Sequence, residues 1–332
     1  MTMTRRSTLS AAAGAALSGT MLSGRRAAAQ AVRWQLASAS PADGLTARNL
    51  LRFIGEVREI SGQGLDIRLH PSSSLLRQAA LRPGLQTGEA QLAEILLAAE
   101  AALDPVFEMD AIPRLARGQE QARRLAALCR PVIERRLQRE GLSLLCLLPN
   151  PPGGLYTGFP VESLAMLRGT RMRVRTPIGG RLAMLLGATP APLEPDETEA
   201  GFAARMADIM FASVSAGVDV RAWTFSRYFT AFDLNMPAGA LIAQTRALEA
   251  LPPATRAALR EAAASAEARG WTLVAAEQEA APRKLEEQGM VLRRPSAALE
   301  RELQHMANVM LEEWLARAGE GGRRLLETYR QG

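Results

Sequence analysis

From Val32 onward, strand-length and helix-length segments alternate along this chain, and few folds accept that alternation. Arg33–Ala37 reads as a first strand, Leu45–Ile60 as an amphipathic helix stopped at Gly62, and Leu65–Leu69 as a strand with period-two patterning. A helix over about Leu75–Gln86 is interrupted by Pro83 and Gly84, and Gln91–Leu97 supplies the next strand. Gln119–Arg139 then reads as a helix kinked near Pro131, and Leu142–Leu148 as an unbroken apolar run suited to a buried parallel strand. Strands separated by helices predict a parallel sheet covered on both faces, an α/β arrangement. The chain has 332 residues, 48% of them apolar. That is enough for two cores, because single cores stop growing at about 250 to 300 residues.

The breaker-rich segment Pro149–Gly154 suits a crossover into a second lobe. Beyond it, Arg171, Arg173 and Arg175 alternate with Met172 and Val174, the period of a half-buried strand whose arginines can face a cleft. Pro177 and the glycines after it end that strand, Arg181–Leu186 gives a short helix, and Ala188–Leu193 a Pro-rich strand. Asp196, followed by Glu197 and Glu199, opens a helix whose acidic first turn suits the helix dipole. Ala238–Thr245 reads as a strand returning toward the first lobe, and Leu251–Thr255 caps a long alanine-rich helix reaching about Gln288. Met290–Leu292 and two tail helices, about Ala297–Ala318 and Gly321–Tyr329, finish the chain.

Residues 1–31 have the order of an export signal: Arg5 and Arg6, an apolar run from Ala11 to Leu22, then small residues around Ala27–Ala31. The run is too short to span a bilayer as a resident helix. Thr4–Ser10 resembles a twin-arginine motif, with Thr8 where Phe is more usual; an ordinary Sec signal is the other route. The mature chain is therefore expected in the periplasm, soluble and without a lipid anchor, since no cysteine lies near the cleavage region. The formal charge of +6 falls to +2 once Arg5, Arg6, Arg25 and Arg26 are set aside. With acidic residues interspersed and no aromatic-basic groove, no nucleic-acid partner is expected. Cys129 and Cys146 could bridge in an oxidising compartment, but both sit in apolar patterns where cysteine acts as a small buried hydrophobe.

Catalysis finds little support. His70 and His305 are the only histidines, neither stands in a metal-ligand spacing, and no Gly-x-Ser-x-Gly or Gly-rich phosphate loop occurs. Binding rather than chemistry is expected, with no cofactor.

Several short motifs recur in a recognisable order. They are Gly169-Thr-Arg-Met-Arg-Val-Arg-Thr-Pro177, Gly187-Ala-Thr-Pro190, and Glu197 followed by Asp208; outside that core stand His70-Pro-Ser-Ser-Ser-Leu75, Asp110-Ala-Ile-Pro113 and Arg227-Tyr-Phe-Thr230. Over about residues 32–330 this resembles the solute-binding proteins of TRAP transporters, the DctP family. The resemblance implies a two-lobed periplasmic binding protein of type II-like α/β architecture, with a long helix spanning both lobes. Lobe 1 would comprise residues 32–150 with 237–290, lobe 2 residues 151–236, and the C-terminal helices 291–332. The implied partners are a small-molecule carboxylate and the small and large TRAP membrane subunits. An extracytoplasmic ligand sensor, or a repurposed paralogue on the same fold, is the alternative.

By position, Arg173 matches the family's carboxylate-binding arginine, whose planar guanidinium grips a carboxylate through two parallel hydrogen bonds. Arg171 and Arg175 share its strand parity, so a slip by two is the competing assignment. A second arginine of some members would fall on Gly153, and Ile209–Ser213 replaces the family's Gly-Gln-Glu-Asn-Pro, so that Ala212 stands for the usual asparagine. The pocket is therefore expected to be less polar than usual and to suit a monocarboxylate with an apolar portion. Met210, Phe211 and Trp223 are candidates to line it beside Arg173 and Ala212, and Trp34 and Ser40 to face it from the first strand.

Overall fold

A computed structural model describes residues 32–62 and 64–331. The leader expected over residues 1–31 lies outside the described residues. The chain builds β1 (Val32–Ser38), α1 (Leu45–Ser61), β2 (Leu65–His70), α2 (Leu81–Thr87), β3 (Leu92–Leu96), α3 (Gly118–Arg139) and β4 (Leu142–Pro149). Amphipathic spacing decides α1: Leu50, Phe53 and Val57 recur on one face and are buried, and Gly62, at φ 61°, closes the helix by donating its amide to the Arg58 carbonyl.

Then follow β5 (Gly153–Thr157), β6 (Arg171–Val174), α4 (Pro177–Leu185), β7 (Thr189–Pro192), α5 (Thr198–Ala203), β8 (Ile209–Ser213), α6 (Val214–Asp219) and β9 (Tyr228–Thr230). The last elements are β10 (Ala238–Gln244), α7 (Thr245–Ala250), α8 (Pro253–Glu287), β11 (Val291–Arg293) and α9 (Ala297–Gln331). Within α9, Gly319 takes φ 62° and ψ −151°, so the run is two helices meeting at a kink.

The strands form two sheets. The first has the order β2-β1-β3-β10-β4 and the second β11-β9-β5-β8-β6-β7. An all-parallel first sheet does not form: β10 runs antiparallel to both β3 and β4, and β4 is an edge strand bonded to β10 alone. The chain leaves this sheet at Pro149 for the second and comes back from it into β10, which sets the direction of entry. The apolar run of β4 is explained instead by packing against α3 and α8. In the second sheet, Pro190 and Pro192 occupy the edge strand β7, where a missing N–H is tolerated.

Helix α8 links the two halves. Leu259, Ala262 and Ala266 pack in the core under the first sheet, and Ala281 and Leu285 in the core under the second. At about 1.5 Å per residue its 35 residues reach about 52 Å. Cys129 and Cys146 are both buried free thiols. No described helix is long and apolar enough to cross a membrane.

Candidate functional site

The two sheets turn the same kind of edge toward each other. Strands β1, β3 and β4 of the first sheet end at Ser38, Leu96 and Pro149, and β10, antiparallel to its neighbours, begins there, with Gly239 opposite Leu96 and Ala238 opposite Pro149. Strands β6 and β8 end at Val174 and Ser213, and β5 begins at Gly153 opposite Ser213. Carboxyl ends of strands in open α/β sheets are where ligands bind. Here they enclose a cleft of about 180 Å³, and a smaller branch of about 60 Å³ shares Asn150, Arg173, Arg175 and Ser213 with it.

The three arginines of the β6 stretch have separate fates. Arg171 is bound by Asp208 through Nε at 2.8 Å and Nη2 at 2.7 Å. Arg173 is 4% exposed, and among the described residues its only side-chain hydrogen bond runs from Nε to the Leu193 carbonyl at 3.0 Å, so its terminal nitrogens are unspent in the cleft that it lines. Burial, and next the positive charge of Arg175, pull its guanidinium below the ordinary arginine value, with Glu194 opposing. An anion beside it would relieve both. Arg175 lies one residue past the strand and lines both branches, and its Nε is buried without a partner.

The polar lining of the cleft also includes Asn150, Thr176, Ser213 and Asn235. The Asn235 amide donates to the Ala111 carbonyl at 2.6 Å and leaves its oxygen buried and unpaired. Thr176 caps α4 by accepting from the Gly179 amide, and Pro177 at the first helical position completes the local signal. The rest of the lining is largely apolar and includes Leu96, Ile178, Leu182, Phe211 and Met310.

Of the residues singled out from sequence, Arg173, Phe211 and Ala212 line the cleft and Ser40 lines its branch, with its hydroxyl donated to Glu94 Oε2 at 3.0 Å. The other three stand elsewhere. Met210 and Phe211 are neighbours on a strand and point to opposite faces, so Met210 joins Tyr156 and Phe229 in the core while Phe211 faces the cleft. Trp34 is 3% exposed beside Phe53, four residues and about 13 Å of strand before the cleft end of β1. Trp223, in a turn after α6, packs against that same second-sheet core.

Comparison with known proteins decides the family. The bacterial extracellular solute-binding protein, family 7, model matches residues 36–317. This chain belongs to that family. Among solved structures, DctP7 and DctP6 of Bordetella pertussis, extracytoplasmic solute receptors binding pyroglutamic acid, are 33% and 32% identical to it. They superpose with a TM-score of 0.88 each, covering 90% and 91% of this chain and 100% of their own. A marine metagenome TRAP solute-binding protein, in complex with co-purified pyroglutamate, is 26% identical, with a TM-score of 0.89 over 91% of this chain and 100% of its own. As a family 7 chain, it has the two-lobed α/β fold of a solute receptor.

Proposed function

We propose that this chain captures a compact organic monocarboxylate between its two lobes, residues 32–150 with 237–290 and residues 151–236, and delivers it to TRAP membrane subunits from the extracytoplasmic side. The observation that carries the reading is Arg173: a buried guanidinium with unspent donors, in a cleft whose lining is largely apolar. One such anchor suits one carboxylate, and the apolar lining suits a small hydrocarbon ring or chain. Pyroglutamate, bound by the two Bordetella receptors, is the first candidate.

Contacts from both sheets would favour the closed population, because a ligand shifts the equilibrium only by its differential affinity for the two states. A thermal-shift screen tests the reading on protein unfolded and refolded to strip carried-over ligand. A ligand at a hundredfold its Kd adds about 2.7 kcal/mol and raises the midpoint by a few degrees. Compact monocarboxylates are expected to stabilise best, dicarboxylates less and neutral analogues not at all. Stabilisation by neutral compounds alone would remove the carboxylate assignment.

A further inference from the structure

Two charges of opposite sign, a buried carboxylate one side chain behind the wall of the branch and a half-buried guanidinium in that wall, lie on different sheets without pairing. Glu94, in the middle of β3, is 3% exposed. Its Oε2 accepts from the Ser38 hydroxyl at 2.7 Å and from the Ser40 hydroxyl at 3.0 Å, while no described donor bonds Oε1. Two residues along the same strand face, Leu96 lines the cleft. Gly239, on neighbouring β10, keeps the space beside that oxygen open: a Cβ there would stand 3.1 Å from Oε1.

From the other side comes Arg175, which lines the same branch as Ser40, the hydroxyl bonded to Glu94; it is in no ion pair with any described acid, and its Nε is buried and unpartnered. A buried carboxylate and a guanidinium with a buried, unbonded nitrogen each carry a desolvation cost unless something between them supplies the missing bonds.

Resting on the carboxylate reading above, we infer that Glu94 and Arg175 recognise a secondary amide in the ligand. The Glu94 carboxylate accepts its N–H, Arg175 donates to its C=O, and Arg173 holds the carboxylate. A five-membered lactam acid fits this pattern, because the ring locks N–H and C=O cis and presents donor and acceptor along one edge. A lactone sets ring-oxygen lone pairs against the Glu94 carboxylate. A plain carbocycle leaves both charges without partners, the situation in which a hydrogen-bonding site discriminates most strongly.

The test is calorimetry on the full mature chain with three probes: pyrrolidone carboxylate, butyrolactone carboxylate and cyclopentane carboxylate. The natural sequence should bind the lactam about a hundredfold or more tighter than the lactone. Glu94→Gln, whose amide can turn either atom toward the ring, should bring the two within about tenfold. Arg175→Met should weaken the lactam and the lactone alike and leave the carbocycle unchanged, a pattern that a purely structural role would not produce. Should Glu94→Gln fail to fold, by circular dichroism, the Arg175→Met pattern over the three probes still decides. An unchanged lactam-to-lactone ratio in Glu94→Gln overturns the inference. Equal binding of all three probes by the natural sequence overturns it too but leaves the carboxylate reading standing, whereas binding of none removes both.

Discussion

Arg171 and Asp208 are joined by two side-chain hydrogen bonds, Nε to Oδ2 at 2.8 Å and Nη2 to Oδ1 at 2.7 Å, and the Arg171 amide adds a third to Oδ2 at 2.8 Å. The arrangement ties the start of β6 to the residue before β8 and uses up the guanidinium of Arg171. Arg173, two residues on, has no such acid, and that difference is why it, rather than Arg171, is the proposed ligand anchor.

Removal of Arg173 should therefore weaken carboxylate binding by about 2 to 5 kcal/mol, the usual consequence of truncating one partner of a buried charged pair. Arg171→Ala should leave affinity nearly unchanged and lower stability only slightly, because the Arg171–Asp208 pair is partly exposed and screened by solvent. Calorimetry and urea melts on both variants check this, and the reverse pattern would transfer the anchor to Arg171.

Gly153, the position at which the family resemblance implies a second arginine in some members, has no room for a side chain as the Phe211 ring stands. A Cβ on Gly153 would stand 2.6 Å from Cζ of Phe211, and the Phe211 ring lines the cleft. Gly153→Ala should push the ring into the ligand's space and weaken binding about tenfold, in line with the usual cost of about 1 to 3 kcal/mol for overpacking. Adding Phe211→Leu should recover part of that loss. Undiminished affinity in Gly153→Ala alone would show that the ring moves freely.

Helix α9 is held to the first half of the molecule by Trp314, which is fully buried and donates Nε1–H to the Pro105 carbonyl at 2.7 Å. Trp314→Ala should cost about 3 to 5 kcal/mol of stability and Trp314→Phe about 1 to 3 kcal/mol, the second chiefly from the unpaired carbonyl. Urea denaturation measures both, and a loss below about 1 kcal/mol in the alanine variant would contradict the packing.

Asp110 and Asp219 are each pushed up from 3.8 to about 7, chiefly by burial. At Asp219 the charges of Asp43 and Glu277 add to the rise, and Arg48 opposes it. Between about pH 4 and 7 the folded chain thus keeps protons that the unfolded chain has released. The contribution of these two groups to stability falls as pH rises, by up to about 1.4 kcal/mol per pH unit each. Asp208, Glu197 and Glu313, held below their ordinary values mainly by hydrogen bonds, act in the opposite sense at lower pH. The stability of Asp110→Asn/Asp219→Asn minus that of the natural sequence should increase across pH 4 to 7. A difference that stays flat would place both carboxyls in water.

By itself, the amino-acid sequence determined what depends on neighbours along the chain: the alternation of strands and helices, the Thr176-Pro177 helix start, the family, and the arginine-bearing strand end that faces the cleft. These rest on periodicity, capping and motif order, which a few adjacent residues encode. Tertiary structure decided the rest. Arg171 was distinguished from Arg173 by an acid 37 positions away, and Met210 went to the core while Phe211 met the cleft because the pairing of β5 with β8 sets which face of the strand looks inward. Glu94 lacks a local motif and enters the proposed site only because folding sets it behind Ser40 in the branch that Arg175 lines, and β10 runs antiparallel because the chain re-enters the first sheet from the second. Hydrogen-bond partners and strand faces are chosen by residues far apart in the chain, so local patterning cannot reveal which polar group is satisfied and which is left to meet a ligand.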